Sequence, residues 1–184
     1  MNVLLHICCA PCAIFPLWVL REQGHAVQGY FFNPNIHPFT EFNRRLATLR
    51  ELAGMENLAL FVEEKYGLTD YLRQVVFNED RRCAICYTMR LEQTARFAAA
   101  NQFEAISTTL LYSRYQNHAL VRETGEELAR QYGVAFLYED FRPGWQEGID
   151  RSIALGLYRQ PYCGCIFSEQ ERYDRSMRKK TIKP

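Results

Sequence analysis

The chain has 184 residues, 48% of them apolar and 23% charged, with 22 basic and 21 acidic side chains and a formal net charge of +1. Those totals describe one globular domain with a full core, expected to run unbroken over 1–184, and they give no overall electrostatic signature of a polyanion partner. No apolar run reaches the ~18 residues of a membrane span, and "MNVLLHICC" has no basic leader region; a cytoplasmic protein is expected, with neither membrane nor DNA as partner.

Val3-Leu4-Leu5 reads as a short buried strand that runs into "HICCAPC". A helix is expected from about Pro16 to Gln23, stopped by Gly24. Ala26 to Phe32 reads as a second strand, ended by the loop "NPNIHP". Phe42, Leu46, Leu49 and Leu52 then recur on a helical period between Phe39 and Met55. Leu58 to Glu63 suits a third strand, and "TDYLRQVVF" a short helix with Thr69 as its N-cap. "RRCAICYTMRLEQTARFAAANQ" opens with a CxxC and continues as a long helix. Glu104 to Leu111 makes a fourth strand. "YSRYQNH" leads into a helix closed by Gly133, and Val134 to Phe141 makes a fifth strand. A helix over "GWQEGIDRSIALG", the loop "LYRQPYCGC" and a last helix follow, ending in a basic tail at about 174–184.

Strands alternating with helices predict a doubly wound α/β domain with a mostly parallel sheet of about five strands. Ligands of such folds bind beyond the carboxyl ends of the strands, at the switch in strand order. "HICCAPC", "NPNIHP", the end of "STTLLYS" and "DFRPGW" all fall at that edge.

Seven cysteines occur in three groups: Cys8, Cys9 and Cys12; Cys83 and Cys86; Cys163 and Cys165. An odd number in a reducing compartment argues against disulfides. Clustering beside Gly and Pro argues for metal ligation. Cys83/Cys86 with Cys163/Cys165 would complete a structural zinc site, leaving three thiols over. Alternatively four thiols saturate a [4Fe–4S] cluster and three remain for a second metal with an open position. No phosphate-binding glycine motif is present, nor the cysteine spacing of radical S-adenosylmethionine enzymes.

Polar and aromatic candidates gather near the same edge. Asn33 and Asn35 lie in the second-strand loop; Tyr112, Ser113, Gln116 and Asn117 follow the fourth strand; Asp140, Arg142 and Trp145 follow the fifth; Arg159 and Gln160 precede the last thiols. Acid, guanidinium and indole together suit a ribose, a phosphate and a base. The same residues equally suit a helix cap at Asn117 and an internal ion pair at Asp140. Arg81 and Arg82, beside Cys83, could balance thiolate charge.

In order, "HICCAPC", "NPNIHP", "RCAICYTMRLEQTA", "STTLLYSRYQNH", "DFRPGWQEG" and "LGLYRQPYCGCIFSE" resemble the epoxyqueuosine reductase QueH family, from about Leu4 to Tyr173. The resemblance implies an adenine-nucleotide hydrolase-like (HUP, Rossmann-like) fold with inserted metal-binding loops. It implies a cobalamin-independent reduction of epoxyqueuosine to queuosine at the tRNA wobble position. It further implies a [4Fe–4S] cluster, an additional mononuclear iron, tRNA bearing epoxyqueuosine as partner, and an unidentified electron donor. Carried onto this chain, all seven cysteines are metal ligands, with Cys83 and Cys86 on the cluster and the division of the other five open. Some members carry an aspartate where this chain has Cys12, which directs position 12 to the extra iron. Cys12, Asp140 and Tyr112 are the expected catalytic residues, and Asn33, Asn35, Ser113, Gln116, Asn117, Arg142, Trp145, Arg159 and Gln160 the expected substrate contacts. Two rival expectations share these residues: an iron–sulfur tRNA sulfurtransferase, and a zinc-stabilised RNA-binding module without catalysis.

Overall fold

The structure is a computed structural model that describes residues 1–178; the end of the basic tail, 179–184, lies outside the described residues. Its sheet contains β1 (Asn2–His6), β2 (Ala26–Phe31), β3 (Leu60–Val62), β4 (Ala105–Thr108) and β5 (Ala135–Phe136). They run in the order β3-β2-β1-β4-β5, and every pairing is parallel. The switch in strand order therefore lies between β1 and β4, where His6 stands level with Thr108. That order places the binding crevice beyond His6, at the start of the cysteine segment.

Alternation along the strands sorts two cores. Leu5, Val27 and Phe31 face α1 (Ala10–Glu22) and α2 (Phe39–Met55). Leu4, Tyr30 and Ile106 face α4 (Arg82–Ala100) and α5 (His118–Tyr132). The short α3 (Leu68–Val75) packs on α4, and α6 (Trp145–Ala154) packs on α1. α7 (Ile166–Tyr173) and α8 (Arg175–Arg178) finish the described chain.

Several element boundaries differ from the sequence expectation. α1 begins at Ala10, six residues before Pro16, so Cys12 lies in its first turn. Pro11 sits at the start of the helix, where a missing N–H costs nothing. Pro16 is inside the helix and removes the bond that would run to the Cys12 carbonyl. β4 stops at Thr108 and the chain tightens into a 3₁₀ turn over Thr109–Tyr112. β5 keeps only Ala135–Phe136 of the eight residues expected. α3 starts at Leu68, so Gly67, not Thr69, holds the N-cap position. Gly67 is there for space: a Cβ would stand 2.4 Å from that of Pro34.

Candidate metal centre

Each cysteine group stands at the start of a helix. Cys9 is the N-cap residue of α1 and Cys12 lies one turn on. Cys83 and Cys86 occupy the first turn of α4. Cys165 is the N-cap of α7, its Sγ accepting from the Ser168 N–H at 3.4 Å. A helix N-terminus presents unpaired N–H groups and partial positive charge, which favours a thiolate.

The first group is the tightest. The sulfurs of Cys8, Cys9 and Cys12 all lie within 4.8 Å of one another. Among the described residues, no other set of three or more candidate ligands meets that condition. Cys8 Sγ stands 3.6 Å from Cys9 Sγ, near the roughly 3.8 Å that separates two thiolates on one tetrahedral ion with ~2.3 Å bonds. Thr109, just past β4, accepts from the Cys8 N–H at 3.2 Å and donates to Cys8 Sγ at 3.4 Å. Gln160 Nε2 reaches Cys9 Sγ at 2.9 Å and Cys12 Sγ at 3.3 Å.

Charge is unevenly divided among these sulfurs. The Cys8 thiol is pulled well below its ordinary value by bonds from Cys12 and Cys9, then by Arg90 and Thr109, against burial. Burial first, then the Cys8 charge, pushes Cys9 well above its own. Cys12 is pushed up first by its contacts with Cys8 and Cys9. Ionisation is therefore favoured at Cys8 and opposed at Cys9 and Cys12. A bound cation is what would let all three ionise.

The other four thiols are less enclosed. Cys86 and Cys165 are buried; Cys83 and Cys163 are exposed. Burial pushes the Cys86 thiol up to about 12, against the pull of Arg90. Cys86 and Cys165 pack together with Tyr71 and Val75 of α3. The Cys163–Cys165 turn is held from beneath by the β2 loop and α2. The His37 N–H donates to Gly164 O at 2.8 Å, and Tyr162 Oη donates to His37 O at 2.6 Å. Buried Arg45 donates to Cys163 O at 2.7 Å and Tyr162 O at 3.0 Å, and Glu41 anchors it at 2.6 Å. Gly164 has φ +153°, and a Cβ there would stand 3.2–3.3 Å from Ile36, Arg45 and Asn35. The turn between the two thiols therefore needs glycine.

Buried polar atoms near these thiols that lack a hydrogen-bond partner among the described residues include Tyr71 Oη, Arg82 Nε and Arg90 Nη2. Burial, then charge on Cys165 and Cys86, holds the Tyr71 hydroxyl well above the ordinary phenol value. An orphan donor beside clustered thiols, with seven sulfurs as the donor set, fits a sulfur-rich anionic group such as an iron–sulfur cluster.

The remaining candidates divide by what already occupies them. Asn117 caps α5, its Oδ1 accepting from the Leu120 N–H at 3.1 Å. Gln116 donates to Cys163 Sγ at 3.2 Å and accepts from Tyr87 Oη at 2.8 Å. Ser113 Oγ accepts from the Tyr115 N–H. Asn33 donates to Ile7 O at 2.9 Å, and Asn35 is buried with Oδ1 unpaired. Asp140 grips Arg142 through two bonds, at 2.8 and 2.6 Å, and the guanidinium draws its carboxyl down to about 2. It is ionised at neutral pH and has no proton to give. The Tyr112 hydroxyl donates to Trp145 O at 2.8 Å, with the two rings stacked at 5.1 Å. Burial, then the nearby Cys12 and Cys9, keeps that hydroxyl protonated. Arg159 is exposed. Arg82, expected to balance thiolate charge, pairs with Glu171 and also feels the charge of Cys83 and Cys165. His6 is neutral, drawn down to about 3 by burial and Arg90. Its Nε2 lies 3.2 Å from Phe32 O.

Sequence reasoning missed Arg90, Arg45 and Tyr71. Arg90 carried a usable signal: it follows Cys86 by four residues, on one face of a helix.

The profile of the family described as "Epoxyqueuosine reductase QueH" matches residues 3–171. A protein of that name from Dehalococcoides mccartyi is 42% identical over 172 residues, 94% of each chain. Its namesake from Thermotoga maritima is 34% identical and covers 95% of this chain and 93% of its own. A third, from Streptococcus pyogenes, is 30% identical over 91% of this chain and 70% of its own. No helix among the described residues is long and apolar enough to cross a membrane.

Proposed function

The chain belongs to the epoxyqueuosine reductase QueH family, and we propose that its thiols divide into a single-iron site and a cluster site serving that reduction. The enzyme is an oxidoreductase acting on epoxyqueuosine in tRNA. The epoxide takes up two electrons and two protons, its oxygen leaves as water, and the cyclopentene of queuosine remains. An electron donor outside the chain and a cytoplasmic location are part of this reading.

The observation that carries the division is the spacing of the sulfurs. Cys8, Cys9 and Cys12, close enough for one ion, hold the mononuclear iron. Cys83, Cys86, Cys163 and Cys165 are left for the [4Fe–4S] cluster, because thiolates on different irons stand farther apart. When bound, the cluster supplies electrons singly and the lone ferrous ion supplies a Lewis-acid position for an oxygen.

The chain's own residues prepare the rest. Gln160 fixes Cys9 and Cys12. Tyr112 keeps its proton beside Cys12 and is the candidate donor to the departing oxygen. Asp140 acts by orienting Arg142 at the surface. Arg142 and Arg159, both exposed, suit tRNA phosphates, and Trp145 suits a base.

The test is direct conversion. Epoxyqueuosine-containing tRNA is incubated anaerobically with purified protein and a chemical reductant, then digested and weighed as nucleosides. Queuosine, lighter by one oxygen, is expected. Epoxyqueuosine that persists with a fully loaded protein contradicts the assignment.

A further inference from the structure

Among the described residues, Arg90 is the one fully buried cation that no carboxylate explains. Its side chain is 1% exposed, as is that of Arg45. Arg45 has Glu41 at 2.6 Å. Arg90 has none: its Nε–H points at the neutral His6 at 3.4 Å, Nη1 reaches Cys86 Sγ at 3.5 Å, and Nη2 has no partner. The charges that act on it are those of Cys86, Cys8 and Cys163. A guanidinium cannot shed its proton, and an unpaired buried charge costs several kcal/mol. The negative charge facing Arg90 must therefore be sulfur, and it comes from both thiol sets at once.

We propose that Arg90 is the counter-ion shared by the two metal sites, and that it sets how readily the buried sulfur-ligated iron accepts an electron. This rests on the reading of the seven cysteines as iron ligands. The physics is simple. Thiolate-bound iron is anionic, and each added electron makes it more so. A fixed buried cation with one donor on a ligand sulfur offsets that charge and raises the reduction potential. Arg90 touches one set, at Cys86, and feels the charge of the other through Cys8. Its position one turn after Cys86 on α4 ties its charge to the CxxC. Its reach to His6 ties it to the end of β1.

The experiment compares Arg90→Met, Arg90→Lys and the unchanged protein, each purified anaerobically. Iron and sulfide content, the visible spectrum, the midpoint potential and the melting temperature with and without metal are measured. Arg90→Met should lose part of its iron, and what it keeps should titrate at a more negative potential. Arg90→Lys should keep the iron and fall between. The melting temperatures separate this role from packing. Without metal, Arg90→Met should melt no lower than the unchanged protein, because the apolar chain removes a buried charge; with metal it should melt lower. Full iron and an unchanged potential in Arg90→Met overturn the proposal, as does a metal-free Arg90→Met protein that melts well below the unchanged one. If the unchanged protein itself holds no iron or sulfide, the functional reading fails instead.

Discussion

The two thiol sets are built differently. Cys8, Cys9 and Cys12 stand where a parallel sheet ends in a helix, all buried, with sulfurs within 4.8 Å. Cys83, Cys86, Cys163 and Cys165 come from two places 80 residues apart in the chain, and two of them are exposed. The first set is shaped by backbone: β1, the α1 N-terminus and the Thr109 turn leave it little freedom. The second is assembled by side chains, Arg45 below and Gln116 beside it. A site shaped by the sheet should survive the loss of one side chain, and a site held by side chains should not.

The largest effect expected from that contrast is at Cys83. Cys83→Ser should bleach the visible absorbance and cut turnover beyond the ~10–100-fold typical of losing an outer partner. Cys12→Ser should keep most of the absorbance and lose about one iron per chain. If the two variants lose the same metal, the division into two sites is wrong. Metal analysis and absorbance decide this.

Arg45→Met comes next. It removes two bonds to the Cys163–Cys165 turn and leaves Glu41 buried without its cation. Breaking one side of a buried pair costs about 3–5 kcal/mol. The melting temperature should drop, and metal at the second set should fall before metal at the first.

Acid should act on the scaffold beneath both sets. His6 and His37 are held neutral, at about 3 and about 4, chiefly by burial. Unfolded histidine takes its proton near 6.5. Between those values the unfolded chain binds more protons, so stability falls as pH drops from 6.5 towards 4. The slope is up to about 1.4 kcal/mol per pH unit for each histidine. Denaturant melts of metal-free protein across that range check the sign.

Gln160→Leu is the mildest. It removes both amide contacts to Cys9 and Cys12 and should slow turnover by about 10-fold. The absorbance of the second set should be untouched. Rate and spectrum in the same sample give the answer.

The α/β class and the binding edge were legible because strand and helix periods alternate cleanly along the chain. What was not legible has physical causes. Pro11 and Pro16 read as helix breakers, yet one sits where no N–H is needed and the other inside the helix. So Cys12 was expected in a loop and stands on a helix. The CxxC was read as the opening of a long helix, and it stands in that helix's first turn. The seven thiols stood out as a set because their residue type is rare. The residues around them did not: Arg45, Arg90 and Tyr71 are common residues whose meaning comes from burial, and burial follows from tertiary packing. Arg81 and Arg82 read as counter-ions and Arg90 did not, because adjacency in sequence is visible and a shared helix face is easily overlooked.

The central claim, seven thiols holding one cluster and one further iron, is tested most directly by counting iron and acid-labile sulfide in anaerobically purified protein. The account predicts about five irons and about four sulfides per chain, with a brown absorbance that fades on reduction. A colourless protein holding zinc and no sulfide would contradict it.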